Sequence, residues 1–133
     1  MSIALIRKGL GDNLATIRGL RVAETVPDQV SPPIAVVSLS SVAYDGALRG
    51  GLTTYNFMVT VIVGRVSERT AQRTLDAYIT PGPGSIKTAI ESDRQLGQSA
   101  FDCRVEGLSN YGSITIGDIT YLAADFTVTV YGN

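Results

Sequence analysis

From Thr53 to Gly64 the chain alternates with period two, placing Thr53, Tyr55, Phe57, Val59, Val61 and Val63 on one side. Thr54, Asn56, Met58, Thr60 and Ile62 fall on the other. β-Branched and aromatic residues at that period predict a long strand with one buried face. Burying five such side chains contributes about 10 kcal/mol gross, at roughly 1.5–3 kcal/mol each, so this strand is the expected spine of the fold. Upstream, Ile3, Ile6, Leu10, Leu14 and Ile17 recur at spacings of three and four, predicting a helix with a single apolar stripe that stops at Gly19. Gly9 and Gly11 each weaken it by about 1 kcal/mol against Ala. Leu20 to Glu24 reads as a short strand, and Pro27, Pro32 and Pro33 impose a loop because each removes a ladder donor and fixes φ. Ile34 to Ser40 is a strand expected to pair with the spine through a long hairpin. Asp45-Gly46 and Gly50-Gly51 are the turn formers at its tip.

Beyond the spine, Ser67 is a favourable N-cap for a helix to Ile79, buried along Ala71, Leu75, Tyr78 and Ile79 and stopped by Pro81-Gly82-Pro83-Gly84. Ser85 caps a shorter helix with Ile86, Ala89 and Ile90 inward. Ile116-Gly117-Asp118-Ile119 is a two-residue hairpin turn. Its register is expected to set Ile116 against Ile119, Ile114 against Tyr121 and Asn110 against Asp125. The other face then pairs Tyr111 with Ala124, Gly107 with Val128, and Val105 with Val130. Leu122, Ala124, Phe126, Val128 and Val130 form the core face, with Cys103 on it, while Glu106, Asn110, Asp125, Thr127 and Thr129 make the other face polar. Towards the tip that second face turns apolar. The whole predicts one α+β domain over residues 1–133: a mostly antiparallel sheet of about four to five strands, helices packed on one face, and projecting β-hairpins.

Charge and composition narrow the chemistry. With 44% hydrophobic and 17% charged residues the chain is globular. A net charge of −1 argues against a general nucleic-acid or anionic-membrane binder, since both need a basic excess, although a local basic patch stays compatible. No apolar run approaches the roughly 20 residues of a membrane span, and the first residues lack the pattern of a secretion signal. The single Cys103 allows no intrachain disulfide and suits a reducing compartment. With no His and one Cys, neither a His-based nucleophile system nor an ordinary zinc site can be assembled from this chain, and no cofactor is expected. Cys103 reads as a small core residue. Asp76, Asp93 and Asp102 are read as caps and solvated groups rather than an acid/base pair, and the Gly-rich pieces fit no phosphate-binding pattern.

Two features stand out. Arg65, Arg69 and Arg73 lie four apart, predicting a cationic stripe at the start of the helix after the spine. Like charges at that spacing, near a helix N-terminus, are mildly unfavourable. The stripe is accounted for either by an acidic partner surface or as a solvated face neutralised by Glu68 and Asp76. The second is the hairpin tip, where Ile114, Ile116, Ile119 and Tyr121 should lie opposite the core. They make a protein contact unless a helix of the same subunit covers them. Charged residues at Ile116 and Ile119 are expected to weaken assembly without unfolding the chain.

The order of elements is amphipathic helix, short strand, Pro-rich loop, long hairpin, two helices and closing hairpin. With Val26-Pro27-Asp28-Gln29, Thr54-Tyr55-Asn56-Phe57, Val61-Ile62-Val63-Gly64-Arg65, Leu75-Asp76-Ala77-Tyr78 and Phe126-Thr127-Val128, the chain resembles the tail terminator proteins of long-tailed bacteriophages over essentially its full length. The resemblance implies no catalytic residues. It implies a subunit that closes with copies of itself into a ring, typically a hexamer, on the head-proximal end of the tail tube within the virion, after assembly in the host cytoplasm. The partners it implies are the tail tube protein and the head connector or stopper, with genomic DNA passing through the lumen. The alternatives are another head–tail joining protein of the neck and, from a different class, a small-ligand binding domain or an enzyme using Asp and Arg residues, which needs a deep pocket with convergent polar groups.

Overall fold

A computed structural model describes residues 2–25, 30–44 and 52–132. Helix α1 (Ile3–Leu14) opens the chain, capped by Ser2, whose Oγ accepts from the Leu5 N–H at 3.1 Å. Strands β1 (Arg21–Ala23), β2 (Ile34–Ala43) and β3 (Thr53–Arg65) follow, then α2 (Ala71–Ile79) and α3 (Ile86–Ile90), which runs into a 3-10 turn over Glu91–Asp93. β4 (Asp102–Ile116) and β5 (Ile119–Gly132) close the chain. The five strands form one sheet in the order β1-β2-β3-β5-β4, parallel between β1 and β2 and antiparallel elsewhere. The fold is therefore α+β with a mostly antiparallel sheet, as the patterning predicts.

The predicted spine is β3, central in the sheet. Tyr55, Phe57, Val59, Val61 and Val63 are buried while Thr54, Asn56, Met58 and Thr60 are half-buried. The alternating side packs into one core with Ile6, Leu10 and Leu14 of α1, Leu75 of α2, Ile86 and Ile90 of α3, and Phe126, Val128 and Val130 of β5. Cys103 is fully buried in that core. Burial pushes its thiol up to about 12, so it stays protonated and unreactive at neutral pH. β3 has a second buried set that period two alone does not reveal. Ile62 is fully buried with Ile34, Tyr121 and Ala123 in a smaller cluster that contains strand residues and no helix residue.

Several boundaries depart from the patterning. α1 ends at Leu14, with Ala15 as C-cap. Ile17 reaches the core from the following turn, and Gly19 lies in that turn instead of stopping the helix. β1 spans three residues and β2 runs on to Ala43. α2 starts at Ala71, with Thr70 making no side-chain cap, so Ser67 is not the N-cap. The reason is competition from the sheet. The Val66 N–H donates to the Thr120 carbonyl at 3.0 Å, and two tight turns, Glu68 N–H to Arg65 O and Ala71 N–H to Glu68 O, use the residues the helix would have taken. The turn formers Asp45-Gly46 and Gly50-Gly51, and the Pro27-Asp28-Gln29 part of the loop, lie outside the described residues.

The β4–β5 hairpin turns at Gly117-Asp118 as predicted, Gly117 holding the positive φ of 62° that this turn demands. The predicted pairs Ile116–Ile119 and Ile114–Tyr121 are present. Further out the register shifts twice, between Ser109 and Gly112 and between Val105 and Gly107. Asp125 therefore pairs with Ser109 rather than Asn110, Gly107 with Thr127 rather than Val128, Val105 with Val128 rather than Val130, and Tyr111 falls unpaired in a bulge. Asn110 bulges at φ 55°, a conformation Asn tolerates better than most residues. Its amide still reaches the Asp125 carboxylate at 2.8 Å. Two one-residue shifts restore the parity of β4, which returns Cys103 to the core side opposite Val130.

Candidate functional site: two unlike ends of one sheet

The sheet has a turn end, where β3 leaves and the β4–β5 hairpin turns, and a far end, where Ala43, Thr54, Tyr131 and Asp102 lie in one cross-strand row. At the turn end Arg65 pairs with Tyr121, and Tyr121 with Ile114. Residues directly opposite in a sheet share a face, so these three predicted contact residues lie side by side. Arg65, Ile116, Ile119 and Tyr121 then line one recess of about 380 Å³, completed by Val30, Ser31 and the turn residues Gly117 and Asp118.

Burial divides the predicted apolar tip. Tyr121 is 5% exposed and belongs to the strand-only cluster. Ile114, Ile116 and Ile119 are half-buried and pack on its rim. The residues that partly cover the tip come from the chain's own strands and the Val30 segment, not from a helix. A charge at Ile116 or Ile119 would therefore disturb this cluster as well as any contact made there, and exposed Arg65 is the cleaner handle.

The three arginines do not form a stripe. Arg65 is the last residue of β3, Arg69 lies in the turn before α2, and Arg73 sits in the first turn of α2. Arg69 borders a second recess of about 430 Å³ with Glu68, Gln72, Tyr111 and Leu122. Arg73 borders a third with Thr74, Tyr78 and Pro83. The fourfold spacing in sequence becomes three directions in space because only the last of the three is helical. All three side chains are exposed, and among the described residues none joins an ion pair.

The far end is different. Its cations are paired: Lys87 with Glu91 at 2.6 Å, Arg94 with Asp102 through two contacts at 2.7 and 3.1 Å, and Arg104 with Glu106 at 2.7 Å. The hydrogen bonds and charge of Arg94 hold the Asp102 carboxyl below the usual carboxylate range, outweighing a smaller opposing effect of burial. At Glu91 burial pushes the pKa up, but the Lys87 ammonium and the Val105 N–H, which donates to Glu91 Oε2 at 2.9 Å, outweigh it and leave the group below its ordinary value. A carboxyl lowered in the folded state contributes stability above its unfolded pKa and loses it as pH falls through the folded pKa. The wild type is therefore expected to lose stability more steeply than Glu91→Gln as pH drops below the ordinary glutamate range. Urea unfolding of both proteins from pH 7 down to about pH 3 measures this, and parallel curves would remove Glu91 as a linkage site.

The three aspartates considered as an acid/base set are held apart. Asp76 accepts from the Tyr111 hydroxyl at 2.9 Å, Asp93 accepts from the Gln95 and Gly97 N–H groups, and Asp102 holds Arg94. The sequence reading missed two features. Asn13, 7% exposed, ties α1 to the segment after α3 by donating to the Ile90 and Asp93 carbonyls, both at 2.9 Å. An Asn between Leu10 and Leu14 at core spacing was the available signal. The second is a pair of exposed aromatics at the far end: Tyr44, directly after β2 and 75% exposed, and Phe101, directly before β4 and 49% exposed.

No family profile matches the sequence, and no curated protein matches it. Solved structures do match, and one of them, whose name states no activity, is similar over 100% of this chain and 97% of its own, at 19% identity and a TM-score of 0.48. A likeness at that level establishes neither relationship nor function.

Proposed function

We propose that this chain is a structural subunit of a long-tailed bacteriophage, a tail terminator that acts by assembly rather than by bond chemistry. Copies close into a ring, taken as a hexamer, on the head-proximal end of the tail tube. The ring ends tube polymerisation and presents the joining surface for the head connector, with genomic DNA passing through its lumen. The resemblance in order and phrasing supports the family. The structural observation that carries the reading is the contrast between the two ends of the sheet. The turn end has a recess of mixed apolar and polar lining that includes Arg65, which joins no ion pair among the described residues, and the far end presents exposed aromatics among paired charges. A ring is built from heterologous contacts, in which unlike surfaces of successive subunits meet, and this chain carries unlike surfaces on opposite ends of one rigid element.

The direct test is electron microscopy of tail tubes assembled with and without the protein. With it, tubes are expected to reach a uniform length and carry a collar of density at one end. Tubes of unchanged length distribution with bare ends would reject the reading. The same preparation, offered head connector afterwards, is expected to join heads only at the collared end.

A further inference from the structure

The recess at the turn end has a mixed lining, more polar than apolar, whose chemistry matches an aromatic side chain with a polar tip. Ile116, Ile119 and Tyr121 supply apolar walls, while Asp118 and Arg65 stand beside them with an acceptor and a set of donors. Asp118 and Arg65 are exposed, and among the described residues neither has an ion-pair partner. Such a side chain exists in the chain itself. Tyr44 is the most exposed large hydrophobic among the described residues, at 75%. It follows Ala43, whose row runs through Thr54 and Tyr131 to Asp102 at the opposite end of the sheet. β3 alone, 13 residues long, separates the two ends by about 40 Å at roughly 3.3 Å per residue. Tyr44 therefore cannot reach the recess of its own chain.

Charge points the same way. Around the turn end stand Arg21, Arg65, Arg69 and Arg73 against Glu68, Asp76 and Asp118, a positive excess of one. Around the far end stand Lys87, Arg94 and Arg104 against Glu91, Asp93, Asp102 and Glu106, a negative excess. Like ends repel and unlike ends attract, which fixes the polarity of association.

We propose that copies of this chain join end to end, Tyr44 of one copy seating its ring between Ile116 and Ile119 of the next, with its hydroxyl at Asp118 and Arg65. The contact deepens the ring reading and rests on it: each subunit uses its far end on one neighbour and its turn end on the other, and a fixed rotation between subunits closes the ring. Burial of an aromatic ring supplies the affinity, and the Tyr hydroxyl and the charge excess supply orientation. Arg65 acts here as a partner-facing group, consistent with its having no ion-pair partner among the described residues.

The test uses two full-length variants that keep Tyr44 and Asp118, Ala43→Cys beside the tyrosine and Ser31→Cys at the rim of the recess, both at exposed positions, with the buried Cys103 left in place. Each is mixed with the other and with itself, oxidised, and mapped by peptide mass spectrometry. A dominant 43–31 disulfide in the mixture, with little 43–43 or 31–31 product, is the expected result. Sedimentation equilibrium of Arg65→Glu runs alongside and is expected to show self-association weakened about tenfold, the loss of one charge-assisted contact. Ring-sized particles in the unmodified protein without the 43–31 product, or with 43–43 as the main product, overturn this contact and leave the ring reading standing. A single-subunit mass at every concentration, on and off tail tubes, overturns both.

Discussion

Phe57→Ala is expected to lower the unfolding free energy by about 3–5 kcal/mol, the usual cost of emptying an aromatic site in a packed interior. Phe57 is fully buried at the middle of β3, between Leu39 of β2 and Val128 of β5. The core above it is formed by residues of all three helices. The neighbouring backbone is held in both ladders of a central strand, so the site cannot collapse around the vacancy by moving a loop. Against a net stability of roughly 5–15 kcal/mol for a small domain, the loss is a large fraction of the total. It corresponds to a fall in midpoint temperature of roughly 10–18 °C for a chain of this size. Urea unfolding measures it, with a lower midpoint and an unchanged slope as the sign that only the folded state has weakened. A loss under about 1 kcal/mol would mean that β3 is not the centre of the core.

Gly9→Ala is expected to destabilise the protein by about 1–2 kcal/mol, although helix propensity alone favours Ala by about 1 kcal/mol. A Cβ at Gly9 would lie 2.7 Å from the Leu96 Cβ and 2.9 Å from the Leu96 carbonyl oxygen. Leu96 cannot step aside cheaply. It is 2% exposed, sits at φ 51°, and belongs to a loop whose Gln95 and Gly97 N–H groups are held by the Asp93 carboxylate. Gly11, on the same helix, is the control. Its Cβ would meet only the Val22 Cγ1 at 3.4 Å, so Gly11→Ala is expected to gain stability by up to about 1 kcal/mol. Opposite signs for the two substitutions in thermal unfolding check the argument, and equal gains would show that α1 and the Leu96 loop are not in contact.

Gly9 also shows what kind of information the sequence carries. Local pattern fixes local structure: the period-two run of β3 and the Gly117-Asp118 turn were legible because each is decided within a few residues. Features decided by long-range competition were not. Ser67 has the chemistry of a cap, but the Val66 N–H is taken by Thr120 from β5, more than fifty residues away, and the helix waits until Ala71. The double shift in β4 was hinted at by Gly107, Asn110 and Gly112, residues that tolerate bulges, yet nothing in their spacing gives the new partners. The candidate contact surface divides in the same way. Parity placed Ile114, Ile116, Ile119 and Tyr121 together away from the main core. Arg65 joins them only because β3 ends against Tyr121, and the fourfold spacing that suggested a helical stripe was a coincidence of numbering. Tyr44 gave no signal at all in one dimension, since its meaning depends on which end of the sheet it occupies.

The two bulges in β4 have a consequence for solubility. β4 is the outermost strand of the sheet, and an edge of 15 residues is a template on which a stray chain could add itself and start a fibril. The shifts cut that edge into runs at Asp102–Val105, Gly107–Ser109 and Gly112–Ile116, so a foreign strand cannot stay in register along its full length. A cell filled with newly made copies thus meets a fractured border rather than a continuous one, and long-range zippering is disfavoured along this flank of the molecule.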